Sequence, residues 1–543
     1  MRWKMGTVFI MTNYVTAVEV KAMLSDGGEL ALLDVREEGA HSQSHLFYTV
    51  PMPLSNLELL ARSLVPRLGT RCVLVDDGGG YAERAAAKLA DMGYRDVACL
   101  EGGIAAWEAA GYVLFSGVHV PCKAFGEYVE HHYGTPHIKA EALQAMRDGG
   151  EDLVILDSRP MDEYQVMNIP DGIDCPGAEL ACRVHDLAPD PDTTVVVNCA
   201  GRTRSIIGAQ SLINAAIPNK VMALENGTMG WHLAGYELER GQSRMAPRPS
   251  AAALAKAQAC AMAAGSRFEV PHIDRATLAQ WQGEAEQRSL YILDVRDPAE
   301  YAAGHPVGVA NAPGGQLVQG VDEWVGTLGA RVVLVDDTGV RATMTASWLV
   351  QMGWDVAVLD GGLDGGLEGF EMTTEVPNYA PAGIGAAAEN VISPADLAAR
   401  IAADDVLVID LAPSREHDKG HVPGAWWAVR ARLADSLPKL AQKSLLVITS
   451  PDAIVARLAA PEASLLTGMP VAVLAGGTAA WQAAGQDMAQ GLDRMADERD
   501  DTWLKPYDHP GGVEDRMRAY LTWEVDLLQD IERDGDHRFR LFT

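Results

Sequence analysis

One short pattern is written four times along this chain. Leu33-Asp34-Val35-Arg36, Leu156-Asp157-Ser158-Arg159, Leu293-Asp294-Val295-Arg296 and Ile409-Asp410-Leu411 each close an apolar run, at intervals of 116 to 137 residues. Six residues beyond each Asp stands Ala40, Glu163, Glu300 or Glu416, and eleven beyond stands His45, Asn168, His305 or His421. A second apolar run follows in every copy: Val73-Leu74-Val75 before Asp76, Val195-Val196-Val197-Asn198 before Cys199, Val332-Val333-Leu334-Val335 before Asp336, and Leu445-Leu446-Val447-Ile448 before Thr449. A third leads into a turn: Leu100-Glu101-Gly102-Gly103, Leu224-Glu225-Asn226-Gly227, Leu359-Asp360-Gly361-Gly362 and Leu474-Ala475-Gly476-Gly477. Trp107, Trp231 and Trp481 come four residues after the turn, and Gly366 takes that place in the third copy. A chain of 543 residues is far beyond what one hydrophobic core supports, so each copy must be a folded unit.

Short β-branched runs alternating with helical stretches, such as Glu83 to Met92 and Ser205 to Ala215, predict parallel strands covered by helices on both faces. The fold class is therefore α/β, with four tandem units over residues 13–115, 135–243, 267–375 and 388–489. Connector 116–134 carries His131-His132-Tyr133, and connector 244–266 is Ala-rich and reads as a linking helix. Residues 490–543 form a tail containing Trp503, Tyr507 and an amphipathic helix from Val513 to Ile531, expected to pack on a neighbouring unit or on a second subunit, which makes a homodimer a candidate assembly.

The formal net charge of −30 disfavours nucleic acid and anionic membrane surfaces as partners. No run reaches the eighteen or so apolar residues of a membrane span, and the stretch after Met1-Arg2-Trp3-Lys4 is too broken for a signal sequence, so a cytoplasmic location is expected. The seven Cys (72, 99, 122, 175, 182, 199 and 260) include no CxxC pair, which argues against a disulfide framework or a zinc ribbon. His131, His132, His185 and His232 lack metal-ligand spacing, so no metal and no cofactor is expected.

At the end of the second run the copies carry Asp76, Cys199, Asp336 and Thr449, and only Cys199 is a nucleophile. It opens the sequence Cys199-Ala200-Gly201-Arg202-Thr203-Arg204-Ser205, just before a helix. A loop between a buried strand and a helix N-terminus points several backbone N–H groups inward, which stabilises anions and lowers the pKa of a Cys there. Gly201 lets the backbone curl, and Arg202 and Arg204 add two cations to an otherwise acidic protein. The spacing thus predicts a thiolate acting on an anionic substrate.

These residues resemble the rhodanese family of sulfurtransferases over most of the chain. The Asp-Val-Arg strand end, the downstream Glu and Gly-His, the Cys-x4-Arg loop and the Gly-Gly-x3-Trp ending all occur in that family's pattern. The resemblance implies that Cys199 forms a persulfide, with Ala200, Gly201, Arg202, Thr203 and Arg204 binding the donor. It implies a thiosulfate sulfurtransferase passing sulfur to a thiophilic acceptor such as cyanide or a thiol. The alternatives are a scaffold or sulfur-relay protein with a protein donor or acceptor, and a phosphatase or arsenate reductase of the same fold, whose loop in the family is one residue longer. The first, third and fourth units are expected to be catalytically silent, with Asp76-Asp77 and Asp336-Asp337 repelling an anionic donor.

The active copy departs from the pattern at Met167-Asn168 and Asn226. Arg183 is a further candidate for reaching the donor, and Cys175 and Cys182 are candidate resolving thiols. Asp157, Arg159 and Glu163 recur in the silent copies as Asp294, Arg296 and Glu300, which predicts fold-stabilising ion pairs. Trp231 is expected in the core. Because the loop and both Arg are local, unit 135–243 is expected to form a persulfide on its own.

Overall fold

The structure is a computed structural model. It describes residues 12–363, 370–375, 381, 384 and 390–542; the Met1–Lys4 start, Gly366 and position 388, where the fourth unit was expected to begin, lie outside the described residues. Each repeat folds as a five-stranded, all-parallel sheet with the same strand order. In the second repeat the order across the sheet is His137–Ile138, Val221–Leu224, Thr194–Asn198, Leu153–Asp157, Ile173–Asp174. Val195, Val196 and Val197 are fully buried, as a central strand packed by helices on both faces requires. Thr194–Asn198 pairs in parallel with Leu153–Asp157, Asp157 lying opposite Asn198. The chain leaves these two strands toward opposite sheet edges, and a crevice opens at such a point beyond the carboxyl ends. Cys199 is the first residue past that end.

The turn after the last strand explains the repeated glycines. At Gly103, Gly227, Gly362 and Gly477 φ is positive, and a Cβ would stand 2.1 to 2.3 Å from the carbonyl oxygen of Asp76, Cys199, Asp336 or Ser450. The preceding position only has to adopt a left-handed conformation, which Asn tolerates; Asn226 does so with φ 62°.

The recurrent Asp and Arg form buried forks. Arg159 donates to Asp157 from Nε at 2.9 Å and Nη2 at 2.7 Å, and Arg36–Asp34 and Arg296–Asp294 repeat the arrangement. The fourth copy, lacking the Arg, pairs Asp410 with His417 at 2.7 Å. Trp231 is buried in the core of its unit.

The units pack against one another. The second and third share one apolar core, in which Trp348 donates to Ser211 at 2.8 Å. The fourth places Trp427, Val429 and Ala431 in the core of the first. Connector 116–134, read from sequence without structure, contains the helix Val120–Tyr133; the second connector is the helix Ala251–Arg267, capped by Ser250. The tail helix, Val513–Asp534, lies on this same chain, burying Met517 and Leu521 against Met229 and placing Leu527 and Ile531 in the core of the first unit. Among the described residues no helix is long and apolar enough to cross a membrane.

Candidate active site

Cys199 is 3 % exposed. Its loop runs from the strand Thr194–Asn198 into the helix Thr203–Asn214. The Ser205 hydroxyl donates to Sγ at 3.1 Å. The thiol is not depressed as the loop position predicts: burial pushes it up, against the opposing pull of the Arg204 charge and of Ser205, and the nearby Glu524 carboxyl pushes it further up. The helix N-terminus is present, but desolvation outweighs it.

The two loop arginines have different surroundings. Arg204 reaches Glu163 at 2.7 Å and Gln316 of the third unit at 3.1 Å, and it lines a cavity of about 270 Å³ together with Ala200. Arg202 does not line that cavity. It is held by Glu127 at 2.7 Å through Nε and through Nη2, and by Glu130, both on the helix Val120–Tyr133, with Asn226 at 3.3 Å. The expected pair is thus split into one arginine at the cavity and one that clamps the loop to the connector helix. Thr203 donates to Glu524 at 3.3 Å, and Gly201 leaves room for the same carboxyl: a Cβ there would lie 3.0 Å from Glu524 Oε2.

Arg183 is not brought to the site. It is buried, bonded to Glu179 at 2.7 Å and to the Ala246 carbonyl. Cys175 and Cys182 lie in the core shared by the second and third units, and burial raises both thiols, Cys182 to about 12. Among the described residues no group of three or more His, Cys, Asp and Glu could hold a metal ion.

Residues outside unit 135–243 complete the cavity, although the loop and both of its arginines are local. Glu38 of the first unit, Gln316 and Glu323 of the third, and Arg415 of the fourth line it, as do Trp503, Lys505, Tyr507 and Tyr520 of the tail. Glu163, expected in a fold-stabilising ion pair, pairs with Arg204, as Glu300 does with Arg341 in the third unit, and accepts from Lys505 at 3.2 Å. Burial works to raise its carboxyl, but Arg204 and Lys505 hold it far below the usual range. Lys123 is enclosed by the rings of Trp503, Tyr520 and Trp523 at 5.1, 5.6 and 5.1 Å, and burial lowers its ammonium to about 8. The signal for Glu524 lies in the tail helix, where it interrupts an otherwise apolar buried stripe of Met517, Leu521, Leu527 and Ile531.

At the equivalent positions of the other copies the cradle fills itself. The Asp76 carboxylate accepts from the amides of Gly78, Tyr81 and Ala82 at 2.9 to 3.1 Å. Asp336 accepts from Gly339, Arg341 and Ala342 at 2.7 to 3.4 Å. The aspartate side chain thus occupies the N–H groups that an external anion would need. The arginines nearby are engaged too, Arg84 with the Ala431 carbonyl at 2.6 Å and Arg341 with Glu179, Glu300 and Asp337. In the fourth copy Thr449 faces Thr478 at 3.1 Å.

The sequence profile described as Rhodanese-like domain matches residues 16–110, 139–234, 274–368 and 393–484. A crystal structure of thiosulfate sulfurtransferase from Pseudomonas aeruginosa is 46% identical, covering 98% of this chain and 100% of that one, with a TM-score of 0.92. An HTH-type transcriptional regulator of Mycobacterium tuberculosis is 35% identical over 103 residues, 19% of this chain, which spans 44% of that relative's length.

Proposed function

Because this chain belongs to the rhodanese-like family, we propose that it is a thiosulfate sulfurtransferase with its single working centre at Cys199. The reading rests on a division into units 13–115, 135–243, 267–375 and 388–489 with a tail from 490, the second unit active and the others supporting. Cys199 attacks the outer sulfur of thiosulfate, the S–S bond to the sulfonate breaks, and sulfite leaves with the bonding electron pair. Starting from the thiol, the proton departs as hydrogen sulfite and the enzyme keeps a persulfide anion. A thiophilic acceptor, cyanide or a small thiol, then takes the terminal sulfur and returns the thiolate. This is covalent catalysis with electrostatic preorganisation. The amides of residues 200–204 face the developing charge, and Arg204 meets the sulfonate; Arg202 supports the loop. The chemistry calls for no cofactor or metal, the −30 charge disfavours nucleic acid, and the proposed compartment is the cytoplasm.

The observation that carries this reading is the position of Cys199 next to Ala200, which lines the cavity together with Arg204, while the other copies present Asp, Asp and Thr. The burial of Cys199 also favours a small donor over a protein persulfide, the relay alternative, and the six-residue loop from Cys199 to Arg204 disfavours the phosphatase alternative. The test is mass spectrometry after thiosulfate treatment. One added sulfur, mapped to Cys199 and absent from Cys199→Ser, is expected. Sulfur on another Cys, or thiosulfate:cyanide transfer retained by the Ser variant, refutes the assignment. Efficient loading by a protein persulfide with poor turnover of free thiosulfate would establish the relay reading instead.

A further inference from the structure

The tail helix places a carboxyl where the family chemistry gives it no role. Glu524 is 2 % exposed. Oε1 accepts from the Tyr520 hydroxyl at 2.9 Å and from Thr203 at 3.3 Å, while Oε2 is buried without a hydrogen-bond partner. That free oxygen lies against the Cys199 loop, 3.0 Å from where a Cβ on Gly201 would stand. A buried oxygen left unpaired is unfavourable, so its placement against an anion-binding loop calls for a role.

We infer that Glu524 is a positioning residue for the sulfur chemistry: carried in by the C-terminal helix, its carboxyl sets by its own charge how readily the Cys199 sulfur becomes an anion. The inference rests on the assignment of Cys199 as the reacting thiol. With Glu524 neutral, the loop amides and Arg204 act on the sulfur without opposition. With Glu524 ionised, a second negative charge stands in the same water-poor space and opposes both thiolate and persulfide. The groups facing it are Tyr520 on its own helix, Arg202, Thr203 and Cys199 from the loop, and Lys123 and Glu127 from the connector helix. Burial raises its carboxyl, with Lys123 opposing and Glu127 adding to the rise. Arg202, already held by Glu127 and Glu130, leaves the Glu524 charge only partly balanced.

The test reads the thiol itself and needs no sulfur donor: full-length protein is alkylated with iodoacetamide across a range of pH, and the modification of Cys199 is followed by peptide mapping. Two coupled groups titrate in two steps. In the wild type the logarithm of the Cys199 rate against pH should therefore rise, flatten as Glu524 ionises, and rise again. Glu524→Gln, which keeps the shape and an acceptor oxygen, should abolish the flat region and speed alkylation at pH values above it by about tenfold, the equivalent of one pKa unit. Glu524→Asp disturbs the packing but keeps the charge, so it should retain the two-step profile. A single-step profile in the wild type overturns the inference without any variant. Equal shifts in Gln and Asp variants also overturn it, since they would report loosened packing. If Cys199 titrates as described but never gains sulfur, the sulfurtransferase reading fails and the coupling stands.

Discussion

Gly227→Ala and Gly103→Ala make a comparable pair, because a like clash is placed once behind the proposed nucleophile, where the Cβ would also meet the Gly201 carbonyl oxygen at 2.7 Å, and once behind a silent copy. At Gly227 φ is +54° and a Cβ would stand 2.3 Å from the Cys199 carbonyl oxygen; at Gly103 φ is +59° and the same distance separates it from the Asp76 oxygen. A left-handed non-glycine residue costs about 1–2 kcal/mol, and relieving the overlap should add about 1–3 kcal/mol of packing strain. Each variant should therefore lose roughly 2–5 kcal/mol, visible as a fall in the urea midpoint that is at least as large for Gly227→Ala. Their activities should part. Relief at Gly227 moves the strand end that carries Cys199, and a displacement of about 1 Å at a reacting group is worth about 100-fold in rate. Thiosulfate:cyanide transfer, measured where both variants remain folded, should fall about 100-fold for Gly227→Ala and change little for Gly103→Ala. Equal activity losses would sink the reasoning, since they would mean that the strand ends are coupled through stability alone.

Three further outcomes are expected. Arg204→Ala should raise the thiosulfate KM more than that of an uncharged persulfide donor, by the roughly 1.5–3 kcal/mol of one charged hydrogen bond; equal effects on the two donors would mark Arg204 as purely structural. In a Cys199→Ser background, Asp336→Cys should restore almost no transfer activity, because Arg341 stays engaged by Glu179, Glu300 and Asp337; activity comparable to the native site would contradict that reading of Arg341. Asp174 is buried with both carboxylate oxygens unpartnered, and burial raises it from 3.8 to about 8. Its unfolded form gives up the proton first, so its contribution is fully present below about pH 4 and is lost as pH rises toward 8, at about 1.4 kcal/mol per unit of pH. Asp174→Asn should flatten that part of the urea-midpoint profile, and an unchanged slope would rule the assignment out.

The repeat, the parallel sheets and the position of Cys199 were all legible because they rest on local patterns: β-branched runs, Gly turns, and the strand-loop-helix junction. The ion-pair role of Asp157 and Arg159 was legible from recurrence. Recurrence also marked Glu163, which pairs with Arg204 as Glu300 pairs with Arg341 in the third unit, but it says nothing of Arg202, whose two carboxylate partners sit on the helix Val120–Tyr133. The expected low thiol pKa failed for a related reason. A helix N-terminus can be read along the chain, but desolvation depends on what covers the loop, and that cover comes from the tail and from three other units. Of the tail, only the apolar stripe was visible, while the significance of the acid at position 524 depended on its facing Gly201.

The contact between Thr203 and Glu524 spans 321 residues of chain. At a synthesis rate of about 5–20 residues per second, the Cys199 loop precedes its cover by roughly 16–64 s. During that interval the second unit lacks Trp503, Lys505, Tyr507 and Tyr520, which line the finished cavity. The cavity beside the Cys199 loop is therefore completed only once the helix Val513–Asp534 has docked.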